Sequence, residues 1–249
     1  MKSALKHFGK SGCSFPLKNA YRQFFTDAHL PPIEEYKNTM STVGSQAMIL
    51  TSSFSGKSDI SRMHGTTLSS VSSLTVYPEP IVQFNIQIPS ATSKFMHENK
   101  YMALHILKPN EESVKLARNF SLGSRYVNNQ QQHEENVDYS TKLFTTPFDR
   151  INRDQWDLFE NVKENQRPGS LLFNIESELH LPILTKDSER ILICEKYRVF
   201  KVYNHEIWTC KVKDILVNIE DDRKTGGLLY FNRKFHSVGK PLIEPIKEK

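Results

Sequence analysis

Two neighbouring runs of hydroxyl-bearing residues could bind an anion. The first, HGTTLSSVS at residues 64–72, falls between two expected strands and has a glycine beside its hydroxyls. The second, PSATSK at residues 89–94, falls at a strand-to-helix junction, where Ser90 or Thr92 can cap the helix and Lys94 adds a positive charge. Hydroxyls with backbone amides, and helix N-termini, are common phosphate sites. A purely structural turn is the plain alternative for either run, but the pair predicts a site for one phosphorylated ligand with a long polar tail.

The elements that would position these runs are mainly β-strands. Residues 82–88 alternate apolar and polar side chains, which is typical of a strand with one buried face. The apolar run at residues 101–107 predicts a second strand, and Asn110 can cap a helix over residues 111–120. Further strand candidates are residues 45–53, 171–179, 191–203, 206–219 and 228–235, with a hairpin connection at residues 203–206. Six or seven mostly sequential strands predict a mainly β fold, an antiparallel β-barrel with appended helices.

Residues 121–168 interrupt this pattern. They include the polar run NNQQQHEEN at 128–136 and few apolar residues before Leu143. Such a run predicts a surface excursion or a disordered loop inserted into the domain. The apolar side chains of its later part are expected to dock onto the domain body: Phe144, Phe148, Trp156, Leu158 and Phe159.

The formal net charge of +5 on 249 residues belongs to the N-terminus. Residues 1–26 carry five Lys or Arg and no acidic residue, so the rest of the chain sums to zero. A basic, acid-free and partly amphipathic N-terminus is typical of a mitochondrial targeting segment, although a disordered basic tail has the same composition. We therefore predict targeting to the mitochondrial matrix through residues 1–29, and we do not expect nucleic acid as a partner. No run of apolar residues is long enough to predict a transmembrane helix.

Neither the cysteines nor the histidines form a functional pattern. Cys13, Cys194 and Cys210 are too few and too scattered for a disulfide framework, and we expect the last two to be buried thiols in a reducing compartment. No pair of histidines has metal-ligand spacing, so no metal is expected. The sequence lacks GxGxxG, GxxxxGK[ST] and GxSxG motifs, which argues against a Rossmann site, a P-loop and a serine hydrolase.

Taken in order, these motifs resemble the flavin reductase-like domain family, whose fold is the FMN-binding split barrel. The family has a TANSFTSVS-like string, Pro-Pro, a strand, an SST-like string, a helix, an NVL-like strand and a helix that ends in Phe-Ala. The matching segments here are HGTTLSSVS at 64–72, PEP at 78–80, PSATSKF at 89–95, ALHIL at 103–107 and EESVKLARNFS at 111–121, followed by Cys194, YNH at 203–205 and LLYF at 228–231. The resemblance covers about residues 44–120 and 169–238. It implies one domain over residues 30–240 and a tail at 241–249.

The resemblance implies FMN as the cofactor and NADH or NADPH as the hydride donor. By motif position, Thr66 and Thr67 would meet the edge of the flavin ring and the ribityl chain, and Ser69 and Ser70 would line the adjacent loop. A flavin ring needs hydrogen-bond donors near N5 and O4, which hydroxyls and backbone amides supply. The family also implies a homodimer, since its flavin site lies near a subunit interface.

The same resemblance places Ser90, Thr92 and Lys94 near the flavin phosphate. It places His205 where the hairpin histidine of the family approaches the flavin face or the nicotinamide, and His205 is the candidate catalytic residue. Hydride transfer needs little acid–base help, so few catalytic side chains are expected. The implied activity is that of an NAD(P)H:flavin oxidoreductase.

Several positions depart from the family pattern. Arg62 stands where the family has a glycine, and Thr66 replaces the asparagine of the TANS string. Tyr203 and Asn204 replace the Gly-Asp of the hairpin. Each change removes a feature that helps hold the flavin. The alternative is therefore a catalytically degenerate split-barrel protein that serves as a binding or assembly factor in mitochondria, for the translation apparatus or a respiratory complex.

Overall fold

The computed structural model describes residues 32–56, 60–126, 144–159, 179–217 and 224–240. Helix α1 (Ile33–Ser41) begins in a first unit, which ends at Met40. Its first turn carries Glu34 and Glu35, where the helix dipole favours negative charge. A second compact unit begins at Ser41 and contains the remaining elements. The expected targeting segment and C-terminal tail lie outside the described residues.

Most of the second unit is β-structure. Its strands are β1 (Ser45–Gln46), β2 (Met48–Ser52), β3 (Phe54–Ser55), β4 (His64–Leu68), β5 (Ser72–Thr75), β6 (Ile81–Gln87), β7 (Tyr101–Leu107), β8 (Arg125–Tyr126), β9 (Phe144–Thr145), β10 (Asp157–Leu158), β11 (Leu179–His180), β12 (Pro182–Ile183), β13 (Ser188–Val202), β14 (His205–Val217), β15 (Leu229–Phe231) and β16 (Lys234–His236). Helix α2 (Ala91–Glu98) follows β6 and helix α3 (Glu111–Ser121) follows β7, and short 3₁₀ helices lie at Ile60–Arg62, Pro147–Arg150 and Arg153–Gln155. The expected caps of α2 and α3 are confirmed, since Ser90 and Asn110 each accept a hydrogen bond from the backbone amide three residues on.

Seven of the described strands form one antiparallel sheet in the order β4-β2-β7-β13-β14-β6-β5. If this sheet were flat, its edge strands would lie roughly 29 Å apart, at about 4.8 Å per strand. Strands β4 and β5 are consecutive, however, and residues 69–71 between them span only about 14 Å when extended. The sheet therefore curls, and its two edge strands lie much closer together than in a flat sheet. This confirms the expected mainly β, antiparallel and barrel-like architecture.

The alternation of side chains along β2 places its neighbouring residues in two different parts of the core. Ile49 packs with Phe120 of α3 on one side of the strand. Leu50 packs with Phe84 and Trp208 on the other side. All five residues of β2 are buried, because both faces of the strand are covered. The inner face of the curled sheet is thus covered by apolar side chains, and its outer face is covered by α3.

The later part of the insertion docks onto this core, as expected. The Phe148 ring contacts the rings of Phe120 and Trp156 edge to face, with centroids 5.3 and 5.7 Å apart. Phe159 is also buried. The polar run at 128–136 lies outside the described residues. Aromatic packing therefore anchors the described end of the insertion next to α3.

The two cysteines of the second half are buried, as expected. Cys194 on β13 and Cys210 on β14 are free thiols. Burial raises the pKa of Cys210 to about 12 and raises that of Cys194 well above its ordinary value. Both side chains therefore stay protonated and act as small apolar residues, and Cys210 Sγ lies 3.4 Å from Met102 Sδ.

The first hydroxyl-rich run differs from the turn that its composition indicates. Its first five residues form strand β4, because they pair one by one with β2. Gly65 permits this pairing under helix α3, since a Cβ atom there would lie 2.6 Å from Leu50 O and 2.7 Å from the Phe120 ring. Long-range pairing thus overrides the local turn preference of Gly, Thr and Ser.

The segment at 228–235 also differs from the single strand expected there, since it forms the hairpin β15-β16. Asn232 and Arg233 have φ values of 47° and 60°. Two successive residues with positive φ are the backbone of a two-residue hairpin turn. Asparagine tolerates this conformation, but an arginine at the second position gives no indication of it in the sequence.

Candidate functional site

A cleft of about 800 Å³ opens between β4, the start of α2 and the segment that follows α3. Four of the residues predicted from the sequence line this cleft together: Thr66, Ser90, Thr92 and Lys94. They come from two runs, residues 64–72 and 89–94, that are separated by 16 residues in the chain. The structure therefore brings the two hydroxyl runs to one site, as the sequence predicts.

The N-terminus of α2 gives one end of the cleft its anion-binding character. The Ser90 hydroxyl accepts a hydrogen bond from the Ser93 amide at 3.2 Å. The amides of Ala91 and Thr92 have no acceptor within the helix, because the first amides of any α-helix precede its first hydrogen bond. Lys94, one turn into the helix, lines the same cleft. Amide dipoles and an ammonium group thus face the same space, which suits a phosphate.

A threonine hydroxyl holds the two walls of the cleft together. Thr92 is buried, and its Oγ1 donates to the carbonyl of Gly65 at 3.1 Å. This bond ties α2 to β4, on which Thr66 lies. Thr92 therefore acts in this structure by fixing the cleft wall, and its role near a phosphate stays a prediction.

His64 supports the wall of the cleft, a role that its position in the sequence does not indicate. Its ring stacks on Phe95 of α2, with centroids 3.7 Å apart, and its Nδ1 lies 2.8 Å from Ser124 Oγ. Phe95 and Ser124 both line the cleft. Burial lowers the pKa of His64 to about 4, so the ring is neutral at pH 7. A neutral imidazole thus connects β4, α2 and the segment after α3.

Glu206 is a second residue that the sequence analysis missed. Its carboxylate accepts hydrogen bonds from the Ser93 hydroxyl and, at 3.2 Å, from the Trp208 indole, and it lies 3.0 Å from His97 Nε2. Burial alone would raise the pKa of Glu206, but the hydrogen bonds, led by that from Ser93, outweigh burial and lower it. The group is therefore an ionised carboxylate that fastens α2 to β14. Its position directly after the hairpin histidine was the only signal available in the sequence.

His205 is not one of the residues that line the cleft. It is exposed at the start of β14 and pairs with Gln87 at the end of β6, and its Nδ1 lies 3.0 Å from Asn204 Oδ1. The Asn204 carbonyl also accepts the amide of Ile88 at 2.8 Å, and Ile88 lines the cleft. The hairpin is thus joined to the cleft edge, while a catalytic role for His205 stays a prediction.

The three other predicted contact residues lie elsewhere. Thr67 points away from Thr66, as neighbouring residues of a strand do, and its hydroxyl donates to the Ala117 carbonyl at 2.6 Å. Thr67 and Ser69 line a separate cavity of about 340 Å³. The Ser70 hydroxyl accepts the Asn85 amide at 2.9 Å and so joins the β4-β5 connection to β6. The structure does not gather these residues with Thr66, and their contact with a flavin stays a prediction.

Two general features of the described residues bear on the type of site. Among these residues, no three His, Cys, Asp or Glu side chains are close enough to hold a metal ion. Within the same ranges, no helix is both long and apolar enough to cross a membrane.

Comparison with known proteins places this architecture in a family. A family model described as the flavin reductase like domain matches residues 40–239. The chain belongs to the flavin reductase-like family. The match covers the curled sheet, both helices beside the cleft and the C-terminal hairpin of this flavin reductase-like protein. Membership confirms the resemblance found in the sequence and supports an oxidoreductase.

Solved structures share the fold. A flavin reductase domain protein from Arthrobacter sp. FB24 superposes with a TM-score of 0.56 and 20% identity, over 86% of this chain and 99% of that chain. The flavin reductase HpaC, solved in complex with NADP+, superposes with a TM-score of 0.54 and 20% identity, over 83% of this chain and 98% of that chain. The NADH:FAD oxidoreductase SgcE6 of Streptomyces globisporus C-1027 superposes with a TM-score of 0.55 and 16% identity, over 88% of this chain and 97% of that chain. These identities support the split-barrel fold of the flavin reductase-like protein and nothing finer.

Proposed function

We propose that this protein is an NAD(P)H-dependent flavin reductase that holds FMN in the cleft between β4 and α2. The observation that carries the proposal is the meeting of Thr66 with Ser90 and Lys94 in one cleft. Family membership supports the same activity. Among the structures with this fold, one contains NADP+ and another is described as an NADH:FAD oxidoreductase, which agrees with a nicotinamide donor and a flavin acceptor.

The residues present fit the phosphate of a flavin. The free amides at the start of α2 and the Lys94 ammonium would contact the phosphate oxygens, as the dipole of a helix N-terminus favours an anion there. The Ser93 hydroxyl donates its hydrogen bond to Glu206, so it is not available to the phosphate. This end of the cleft therefore holds and orients the ligand.

The residues also fit the uncharged part of a flavin. Thr66 presents a hydroxyl from β4, and Phe95, Ile88 and Pro89 supply apolar surface. A bound flavin would supply the hydride-accepting ring, and the protein would supply orientation and a site from which water is excluded. The stacked pair of His64 and Phe95 keeps the wall rigid, which reduces the entropy lost on binding.

The family resemblance implies FMN as the flavin, and the cleft offers one helix N-terminus and one lysine that suit its single phosphate. We therefore propose FMN as the bound flavin.

We also propose that the protein forms a homodimer in the mitochondrial matrix. The dimer follows from the family resemblance, and the location follows from the acid-free basic segment at residues 1–26. Light scattering on the purified chain should give twice the mass of 28.8 kDa. Residues 1–31 fused to a fluorescent protein should direct it to mitochondria, and a fusion with the basic residues of this segment changed to Gln should stay outside them.

Oxidation of NADH or NADPH tests the proposed activity. The full chain should oxidise at least one nicotinamide only when FMN is added, and FMN should support a higher kcat/KM than FAD or riboflavin. Lys94→Gln should raise the KM for FMN, and Lys115→Gln, on the exposed side of α3, should not. FMN binding without nicotinamide oxidation would instead support the degenerate binding or assembly factor.

A further inference from the structure

One wall of the proposed flavin cleft is the segment that follows helix α3, residues 122–124. All three of these residues line the cleft. The segment lies outside both hydroxyl runs and outside the motifs that resemble the family. Ser124 carries its only side-chain hydroxyl, next to a leucine and a glycine. What this wall contributes to binding therefore depends on the Ser124 hydroxyl.

Two side chains from other parts of the chain hold this segment. Arg150, from the later part of the insertion, donates to the Gly123 carbonyl at 3.2 Å and to the Asn119 carbonyl at 3.4 Å. His64 of β4 lies with its Nδ1 2.8 Å from Ser124 Oγ. Because the segment is tied both to the insertion and to β4, the Ser124 hydroxyl has a defined position in the cleft wall.

The surroundings of the His64 ring determine which of its nitrogens carries the proton. The ring is neutral at pH 7 and so has a single N–H group. His64 is fully buried, and its Nε2 has no hydrogen-bond partner among the described residues. A proton on Nε2 would be a buried donor without an acceptor, whereas a proton on Nδ1 has the Ser124 oxygen as its acceptor. We therefore place the proton on Nδ1, so that His64 donates to Ser124.

This direction of the hydrogen bond leaves the hydrogen of the Ser124 hydroxyl free to donate. A hydroxyl can accept one hydrogen bond and donate another at the same time. Within the described part of the chain, His64 is the one residue that forms a hydrogen bond with the Ser124 side chain. A ligand that displaces water from this wall must then supply an acceptor, because a donor left unpaired costs free energy.

The charge of the wall favours an uncharged acceptor. Residues 122–124 are uncharged, and the His64 ring behind them is neutral. Among the described residues that line the cleft, the one lysine or arginine is Lys94, and it lies on α2. The phosphate of a flavin is therefore attracted to α2. The acceptors that remain on the same ligand are the carbonyls and nitrogens of its ring and the hydroxyl oxygens of its ribityl chain.

We propose that Ser124 donates a hydrogen bond to the uncharged part of the bound flavin, and that His64 is the positioning residue that keeps the serine hydrogen available. This inference rests on the proposed function, because its ligand is the flavin of that proposal. It gives a binding role to a segment outside the family motifs, and it explains why a buried histidine contacts the cleft wall.

Fluorescence titration of the full chain with riboflavin and FMN tests the serine. Ser124→Ala should weaken the binding of both flavins by the same factor, about three- to tenfold, because one hydrogen bond between uncharged groups is lost. Ser121→Ala is the matched control, since its hydroxyl donates to the Arg118 carbonyl and does not line the cleft. This control should bind both flavins as the wild type does.

Lumiflavin, which has the flavin ring without the ribityl chain, locates the acceptor. If Ser124→Ala weakens lumiflavin binding as well, the hydroxyl donates to the ring. If it weakens only riboflavin and FMN, the hydroxyl donates to the ribityl chain. Either result supports the inference, because both acceptors belong to the uncharged part of the ligand.

A second variant and a spectroscopic measurement test the histidine. His64→Phe keeps an aromatic ring against Phe95 and removes the N–H. It should weaken flavin binding less than Ser124→Ala, and the double variant should bind like Ser124→Ala alone, because His64 acts through the serine. Nitrogen-15 NMR of the histidine-labelled chain, in which His64→Phe identifies the signal, should show the proton on Nδ1.

The inference is overturned if Ser124→Ala binds riboflavin and FMN as the wild type does. It is also overturned if FMN alone is weakened, because the hydroxyl would then contact the phosphate, or if NMR places the His64 proton on Nε2. In these three cases flavin binding by the wild type leaves the proposed function standing. A folded wild-type chain that binds no flavin would reject the proposed function and this inference together.

Discussion

The Ser93 hydroxyl donates a hydrogen bond to the Glu206 carboxylate and thereby joins helix α2 to strand β14. The same carboxylate accepts a hydrogen bond from the Trp208 indole and lies against His97, so one partly buried acid connects helix α2 to strand β14. Helix α2 carries the proposed phosphate site, and β14 begins with the hairpin residue His205. The geometry of the cleft therefore depends on a residue that does not line it.

Replacing this acid should destabilise the protein. We expect Glu206→Gln to lower the free energy of unfolding by about 1–3 kcal/mol, because hydrogen bonds to a charged acceptor are among the strongest in proteins. Urea unfolding measures the change. Glu112→Gln, at an exposed ion pair with Lys115, is the control and should stay close to the wild type. Equal stabilities for the two variants would show that the Glu206 network is not a structural tie.

Two buried histidines should make the fold sensitive to acid. Burial lowers the pKa of His64 and of His105 to about 4, from an ordinary value of 6.5. His105 is held neutral, since its Nε2 accepts the Leu184 amide at 3.0 Å while its Nδ1 lies 2.9 Å from the Ile49 carbonyl. The pKa values of both histidines are lower in the folded state than in the unfolded state. Their contribution to the free energy of unfolding is therefore complete above pH 6.5 and is lost as the pH falls toward 4.

The size of this acid effect can be measured. Between pH 6.5 and pH 5, each histidine should remove about 2 kcal/mol from the free energy of unfolding, at about 1.4 kcal/mol per pKa unit. Urea unfolding at several pH values gives the slope. His105→Gln should reduce the slope by about half, and His236→Gln, at an exposed position, should not change it. A pH-independent free energy of unfolding in this window would contradict the burial of neutral histidines.

Replacing Gly65 by alanine should disrupt the pairing of β4 with β2 and so the wall of the cleft. Its Cβ would lie 2.6 Å from a backbone oxygen of β2, which cannot move without breaking the β2-β4 pairing. We expect Gly65→Ala to cost about 1–3 kcal/mol or more, as overpacked cores do. Gly44→Ala is the matched control, since nothing lies within 4 Å of the added carbon. Thermal unfolding should show a lower Tm for the first variant only.

The Lys94 ammonium should discriminate between flavins. We expect Lys94→Gln to weaken FMN binding about tenfold and to leave riboflavin binding unchanged, because only FMN carries the phosphate. Fluorescence titration gives both dissociation constants, and added salt should reduce the difference for the wild type. An equal loss for the two ligands would place the phosphate away from α2.

The sequence indicates the strands and the helix caps correctly where the determinants are local. The alternation over residues 82–88 gives β6, and Ser90 and Asn110 cap the helices as their residue types indicate. The hydroxyl run at 64–72 gives a strand instead, because its structure depends on pairing with β2 and on the space beneath Gly65. No local pattern contains that information.

The site could be predicted only in part for the same reason. Motif position identifies Thr66, Ser90 and Lys94, which do meet in one cleft. It does not reveal that neighbouring residues of β4 face different cavities, because a loop was expected where a strand lies. Nor does it identify Glu206, whose function in the fold depends on contacts across more than a hundred residues.

Binding of FMN to the purified full chain tests the central claim most directly. The chain is dialysed to equilibrium against FMN, and the flavin absorbance on each side of the membrane gives the bound fraction. The account predicts saturable binding of one FMN per chain and weaker binding to Lys94→Gln than to Lys115→Gln. Absence of binding to a folded wild-type chain, or identical binding to both variants, would contradict a flavin site at the α2 N-terminus.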